Sequence, residues 1–154
     1  VFNGEFTALT QYYNLLYIPF VAKNHKLIEE KIVSFWKTNM KDIIPMKNYT
    51  IDFGLEYKNN EYEVVVIELN PPAPLAGTSL FDAIRDKNII ENGPFEFRYV
   101  SEPIDDAESH IYGPLRQLMN EKFPKFAEEY KKKQIEKQSK NELEVDNITK
   151  NGQR

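Results

Sequence analysis

Apolar residues recur every three or four positions between residues 24 and 43, and this spacing predicts an amphipathic helix. The intervening positions are filled mainly by Lys, Glu and other polar residues, so the apolar side chains share one stripe. Asn24 is a suitable N-cap because its side chain can accept a hydrogen bond from the first turn. We therefore predict a core-packing helix over residues 26–43. Its apolar stripe comprises Leu27, Ile28, Ile32, Phe35, Trp36 and Ile43.

A second pattern, in which apolar and polar residues alternate, predicts two strands directly after this helix. Residues 49–55 carry apolar side chains at every second position, and the polar residues 58–61 form the turn that follows. Residues 64–67 are uniformly apolar, which is typical of a central strand covered on both faces. Two prolines after Asn70 stop the strand pairing. Residues 95–100 are predicted to form one more strand.

A second amphipathic helix is predicted over residues 113–130, beyond which apolar residues become rare. The stretch 131–154 mixes Lys, Glu, Gln and Asn, and we expect a disordered or solvated helical tail there. Residues 1–130 then form one folded region. Together these elements predict an α+β fold, in which a mostly antiparallel sheet is backed by the helices over 26–43 and 113–130.

Composition narrows the classes of protein to which the chain can belong. Its 154 residues are enough for one domain with a core, and 41% of them are hydrophobic. A formal net charge of −4 offers no electrostatic attraction to nucleic acid. No apolar run approaches the roughly 18 residues that span a bilayer, so no membrane partner is expected. The absence of cysteine removes disulfides and thiolate chemistry and fits an intracellular, cytoplasmic protein.

The first residues of the chain suggest that it begins inside a longer protein. The chain starts with Val1 rather than Met, and the Asn3-Gly4 pair is typical of a tight hairpin turn. Such a turn requires a strand on each side, and only two residues precede this one. We therefore expect the chain to be a C-terminal fragment that an upstream segment completes.

Three oxygen-bearing side chains are predicted to converge at one end of the hairpin. Glu68 and Asn70 lie two residues apart on one strand, so they point to the same face. If the hairpin turns around Asn60, Asp52 lies opposite or nearly opposite Glu68. Two carboxylates and an amide suit Mg²⁺, with phosphate oxygens and water completing its shell. Acidic residues at strand ends also commonly face water, and spacing alone leaves that alternative open.

The pattern Asp52-x15-Glu68-x-Asn70-Pro71 resembles the last two metal-binding strands of ATP-grasp proteins. Within that superfamily the chain most resembles the cell-division-cycle-123 family, whose members help assemble translation initiation factor two. The resemblance covers roughly residues 1–105, and the Asp…Glu-x-Asn-Pro set is its most specific element. The matching pieces are Leu9-Thr10-Gln11-Tyr12, the helix from Lys26, Asn48-Tyr49-Thr50-Ile51-Asp52, Ile67-Glu68-Leu69-Asn70-Pro71, Leu80-Phe81, Phe97-Arg98 and Ser101-Glu102.

The resemblance implies an ATP-grasp-like C-terminal subdomain in which Asp52, Glu68 and Asn70 hold Mg²⁺ and ATP. Arg98 matches the family's Phe-Arg pair and by this resemblance could reach a phosphate, although an arginine at a strand end is commonly a salt-bridge partner. ATP occupancy would be linked to binding of a protein client, such as a subunit of the initiation factor. Glu68 stands where the family more often has Asp, and the loop over residues 72–78 departs from its usual pattern.

Two other functions remain open on the sequence. The same metal site would serve a carboxylate–amine ligase that acts through an acylphosphate, and a structural subunit would keep the fold without the nucleotide. No catalytic residue is assigned. Arg85 and Asp86 are equally compatible with substrate contact and with a surface ion pair. An aromatic cluster, predicted to be core rather than a protein-binding face, comprises Tyr12, Tyr13, Tyr17 and Phe20.

Overall fold

The structure is a computed structural model that describes residues 1–104, 117, 121–122, 125, 128–129, 131–133, 135–137 and 139–140. Over these residues the protein combines short sheets with helices, which confirms the predicted α+β class. In chain order the elements over residues 1–104 are β1 (Ala8–Thr10), α1 (Pro19–Asn39), β2 (Thr50–Lys58), β3 (Glu61–Asn70), α2 (Lys87–Asn92) and β4 (Glu96–Arg98).

The described strands form two separate pairs. β2 and β3 make an antiparallel hairpin, in which the turn residues Asn59 and Asn60 have φ of 50° and 66°. Asparagine tolerates this left-handed region better than most residues, so the turn forms where the polar segment predicts it. β1 pairs with β4 in parallel, with Ala8 opposite Glu96. The predicted antiparallel sheet is thus the hairpin, and β1 with β4 adds a parallel pair.

Helix α1 begins earlier than predicted, at Pro19 rather than after Asn24. Proline is common at the first helical position because its missing N–H needs no partner there. Asn24, the predicted N-cap, is non-helical, with φ −116° and ψ 17°, and it interrupts α1 without starting it. The sequence therefore located a real break in the helix, but the break lies inside the element.

Helix α1 also ends earlier than predicted, at Asn39. The N–H groups of residues 40 and 41 both donate to the carbonyl of Trp36, and this closure ends the helix. Ile43 is consequently 76% exposed, although the predicted helix placed it on the apolar stripe. The stripe residues that are buried are Ile28, Ile32 and Trp36.

Aromatic side chains join α1 to the hairpin. Trp36 is 1% exposed, and its Nε1 donates a hydrogen bond of 2.6 Å to the hydroxyl of buried Tyr49, directly before β2. The ring of Phe6 lies 5.3 Å from that of Trp36 and 6.4 Å from that of Phe53 on β2. Phe35 meets Phe53 edge to face at 6.1 Å. These contacts confirm that the first helix packs against the antiparallel strands.

Strand β3 is exposed, whereas its apolar run predicted a central strand covered on both faces. Among the described strands β3 pairs with β2 alone. Val65 is 37% exposed, Val66 42% and Ile67 67%. That prediction was wrong because an apolar run reports what a strand can bury, while the number of neighbouring strands decides what it does bury.

The aromatic cluster of Tyr12, Tyr13, Tyr17 and Phe20 divides into buried and exposed residues, with Phe20 half-buried. Tyr17 is 3% exposed, as a core residue should be, but Tyr12 is 72% and Tyr13 46% exposed. Their backbone is held in a loop in which the Gln11 side chain donates to the Tyr13 carbonyl, and the Ser79 hydroxyl donates to that of Tyr12. The prediction of a core role is therefore correct for Tyr17 and wrong for Tyr12 and Tyr13.

The chain divides into two compact units. The first, Val1–Asn14 with Asn24–Tyr99, contains both strand pairs and α2. The second comprises Leu15–Lys23 with Val100–Arg154. The predicted helix over 113–130 and the predicted tail over 131–154 lie largely outside the described residues. Within the part of the chain that is described, no helix is both long and apolar enough to cross a membrane.

We expect Tyr49→Phe to lower the free energy of unfolding by about 1–3 kcal/mol, because the buried Trp36 Nε1–H loses its acceptor. Urea denaturation followed by tryptophan fluorescence measures this change. The matched control is Tyr57→Phe, since Tyr57 is 59% exposed, and it should alter stability by less than about 0.5 kcal/mol. Equal effects of the two substitutions would contradict a structural role for the Trp36–Tyr49 hydrogen bond.

Candidate functional site

The hairpin brings the three predicted oxygen-bearing residues together. Asp52 on β2 lies directly opposite Glu68 on β3, and Thr50 lies opposite Asn70. Residues that face each other across an antiparallel pair project to the same side, and Asn70 is two positions beyond Glu68 on its strand. The predicted pairing of Asp52 with Glu68 is therefore confirmed, and all three side chains share one face of the hairpin.

A hydrogen bond orders the amide within this group. Asn70 Nδ2 donates to Glu68 Oε1 over 2.7 Å. The amide plane is thereby oriented, and Oδ1 of Asn70 is the atom that can coordinate a cation. Glu68 is exposed, while Asp52 and Asn70 are half-buried. The oxygen atoms thus lie at a surface that a hydrated metal or a phosphate can reach.

The electrostatics of the pair favour a cation. Burial raises the pKa of Asp52, and the neighbouring Glu68 raises it further through its charge and a hydrogen bond between the side chains. Such a shift means that the ionised form of Asp52 is disfavoured in the folded protein. A cation held between the two carboxylates would offset that repulsion.

The donor set fits magnesium. Among the residues that the structure describes, no metal site is built from three or more His, Asp or Glu side chains alone. The hairpin supplies two carboxylates and one amide oxygen, and Mg²⁺ is commonly bound by one or two carboxylates plus phosphates and water. A dedicated all-protein cage, as calcium or zinc sites use, is not what these residues form.

Arg98 has contacts of its own, away from these three side chains. Its guanidinium makes a two-pronged ion pair with Asp86, with distances of 2.6 and 3.1 Å, and its Nε donates to Glu96 over 2.6 Å. It also lies 4.1 Å above the ring of Phe81. Arg98 is only 27% exposed. Its described contacts tie β4 to the segment before α2 and do not include Asp52, Glu68 or Asn70.

Sequence reasoning missed the partners of this arginine. Arg85 and Asp86 suggested an ion pair with each other, but Arg85 pairs with Asp82 at 3.1 Å and Asp86 pairs with Arg98. The carboxylate of Asp82 also accepts from the backbone N–H of Ile84 and of Arg85. An aspartate that opens a turn is a local signal that could have been recognised, whereas the Asp86–Arg98 contact joins residues that the sequence does not link.

A pocket of about 180 Å³ lies beside the segment that follows β3. It is smaller than the roughly 300 Å³ at which ordinary ligand pockets begin. None of the three hairpin residues lines it. The residues that do are Ala73, Pro74, Ala83, Lys87, Ile90 and Glu91.

These observations define a class: an α+β protein whose antiparallel hairpin presents two carboxylates and an amide on one face. The model of the D123 family matches residues 1–127. The chain therefore belongs to the D123 family, which agrees with the resemblance to the cell-division-cycle-123 proteins. No match was found among curated proteins or among solved structures.

We expect Asp52→Asn to stabilise the metal-free protein at pH 7. Because folding raises the pKa of Asp52, its contribution to stability is complete below the unfolded-state value of about 4 and is lost as pH rises through the folded-state pKa. The gain should not exceed about 1 kcal/mol, since Asp52 is only half-buried and solvent screens its charge. Thermal unfolding without divalent cations measures it. At pH 3 the difference should vanish, and a less stable variant at pH 7 would contradict the assignment.

For the Asp86–Arg98 ion pair we expect the opposite dependence of stability on pH. Hydrogen bonds from Arg98 are the main cause that lowers the pKa of Asp86, so its contribution is present above about pH 4 and is lost as pH falls through the folded-state pKa. Asp86→Asn should therefore lower the melting temperature at pH 7 and change it little at pH 2. The control is Asp42→Asn, which removes an exposed carboxylate, and it should lower the melting temperature at pH 7 less than Asp86→Asn does. A constant offset across this range would show that Asp86 does not act through its charge.

Proposed function

We propose that this D123-family protein binds magnesium–ATP through Asp52, Glu68 and Asn70, and that nucleotide occupancy controls its binding to a protein client. The observation that carries the proposal is the direct pairing of Asp52 with Glu68 on one face of the hairpin, with Asn70 bonded to Glu68. The antiparallel arrangement agrees with the ATP-grasp strands that the Asp…Glu-x-Asn-Pro pattern resembles.

Each residue has a distinct part in this proposal. Asp52 and Glu68 supply the negative charge that holds Mg²⁺, and Asn70 supplies a neutral oxygen whose direction Glu68 sets. The bound magnesium would neutralise phosphate oxygens. Because the ionised pair is unfavourable by itself, metal binding would also remove a cost that the unliganded protein carries.

Arg98, which the resemblance implied as a phosphate ligand, is better explained as a structural residue. Its guanidinium already meets Asp86, Glu96 and the ring of Phe81. A phosphate would have to compete with two carboxylates within 3.1 Å. We therefore leave Arg98 out of the proposed ligand set and assign it the role of holding the segment before α2 against β4.

The client part of the proposal rests on family membership and on one surface feature. Members of the family that the chain resembles help assemble a translation initiation factor, and a subunit of that factor is the proposed client. Tyr12 and Tyr13 are exposed and their rings meet edge to face at 5.1 Å. Tyrosine is enriched at protein–protein interfaces, so this ordered pair suits a client-binding surface.

Calorimetric titration of the full-length protein with magnesium–ATP tests the nucleotide site. Asp52→Asn and Glu68→Gln should each weaken binding at least about tenfold, because each removes a charged ligand. Glu63→Gln is the matched control, since Glu63 is an exposed glutamate on the same strand, paired with Glu56 nearer the turn. It should change the affinity less than about twofold.

Two outcomes would overturn this proposal. One is a folded wild-type protein that binds no magnesium–ATP. The other is equal weakening by Glu63→Gln and Glu68→Gln, which would point to a general effect of negative charge. Repeating the titration with EDTA separates a metal-dependent site from binding of ATP by other contacts.

A further inference from the structure

The pairing of the hairpin strands shifts by one residue beside the candidate metal site. Asp52 is opposite Glu68, but the next residue of β2, Phe53, is opposite Val66. Ile67 therefore has no partner on β2. One extra residue on one strand is a β-bulge, and bulges redirect side chains where they occur.

The shift decides which residues face Asp52. From the turn as far as Phe53, the pairing follows one register. If that register continued without the bulge, Asp52 would lie opposite Ile67, and Glu68 would lie opposite Ile51. A slip of one residue moves a side chain to the other face of a sheet, so the two carboxylates would then point in opposite directions. The bulge at Ile67 is what places them on one face.

Because Gly54 has no side chain, the side chains of Val65 and of the bulged Ile67 can lie close to its backbone. Gly54 is paired with Val65, two residues along β2 from Asp52 and on the same face. A β-carbon at position 54 would lie 3.0 Å from Val65 Cγ2 and 3.3 Å from Ile67 Cδ1. Both distances are shorter than ordinary carbon contacts. With any larger residue at position 54, the side chains of Val65 and Ile67 would have to give way by a few tenths of an ångström.

We propose that Gly54 and the bulge at Ile67 act together as the positioning device that sets Asp52 opposite Glu68. The inference rests on the proposed function in one respect, which is the consequence that this device sets the affinity for magnesium. Gly54 touches no ligand; it acts through Ile67, which precedes Glu68. The reason for a glycine here is space, because its φ lies outside the left-handed region.

The first measurement is the affinity of the full-length protein for magnesium–ATP. Gly54→Ala should weaken binding about tenfold, as expected when support for a metal ligand is disturbed. Gly77→Ala is the matched control, because a β-carbon there meets nothing within 4 Å, and it should leave binding unchanged. Adding Val65→Ala to Gly54→Ala removes the atom that lies 3.0 Å away and should restore most of the affinity.

The second measurement reports the strand register without any ligand. The chain has no cysteine, so a pair introduced at Ile51 and Leu69, which face each other, forms its only possible disulfide. Oxidation should proceed readily in the background of Gly77→Ala and more slowly in that of Gly54→Ala. Far-ultraviolet circular dichroism of each variant verifies that it is folded.

The two measurements separate the two proposals. If the wild-type protein binds no magnesium–ATP, the proposed function fails, and the disulfide rates still decide whether Gly54 sets the register. Equal disulfide formation with Gly54→Ala and Gly77→Ala overturns the inference. It is also overturned if the register changes and the affinity does not, or if Val65→Ala fails to restore binding.

Discussion

The hydrogen bond from Trp36 to the Tyr49 hydroxyl is the contact on which the arrangement of helix and hairpin depends. It joins the most buried side chain of α1 to the residue that directly precedes β2. The rings of Phe6 and Phe53 extend the same aromatic contact along the strand. Because Asp52 adjoins Phe53, packing on one face of β2 holds the backbone from which the acidic residue projects to the other face.

The candidate site itself is a place where the fold accepts an unfavourable arrangement. Two carboxylates face each other, and burial together with Glu68 raises the pKa of Asp52. A bulge and a glycine are needed to keep the pair together. Local costs of this kind are typical of functional sites, where binding of a ligand offsets them. By contrast, the ion pair of Arg98 with Asp86 is favourable as it stands and needs no ligand to explain it.

The hairpin was the most predictable part of the molecule, because local chemistry controls it. Asn59 and Asn60 favour a tight turn, and the alternation of residues 49–55 sets which side chains share a face. These signals place Asp52 opposite or nearly opposite Glu68, and the bulge then decides that the two carboxylates share one face. The bulge itself could not be predicted from the sequence, because a single unpaired residue such as Ile67 does not change the pattern of an apolar run.

The sequence by itself determined the elements whose signals lie within a few residues: the buried stripe of α1, the hairpin and the position of Asp52 near Glu68. Only the tertiary structure decided which surfaces are covered and which distant residues meet. β1 pairs with β4 across a long stretch of chain, and Arg98 forms an ion pair with Asp86. The physical reason is that periodicity and turn chemistry act locally, whereas burial and ion pairing depend on how the elements pack.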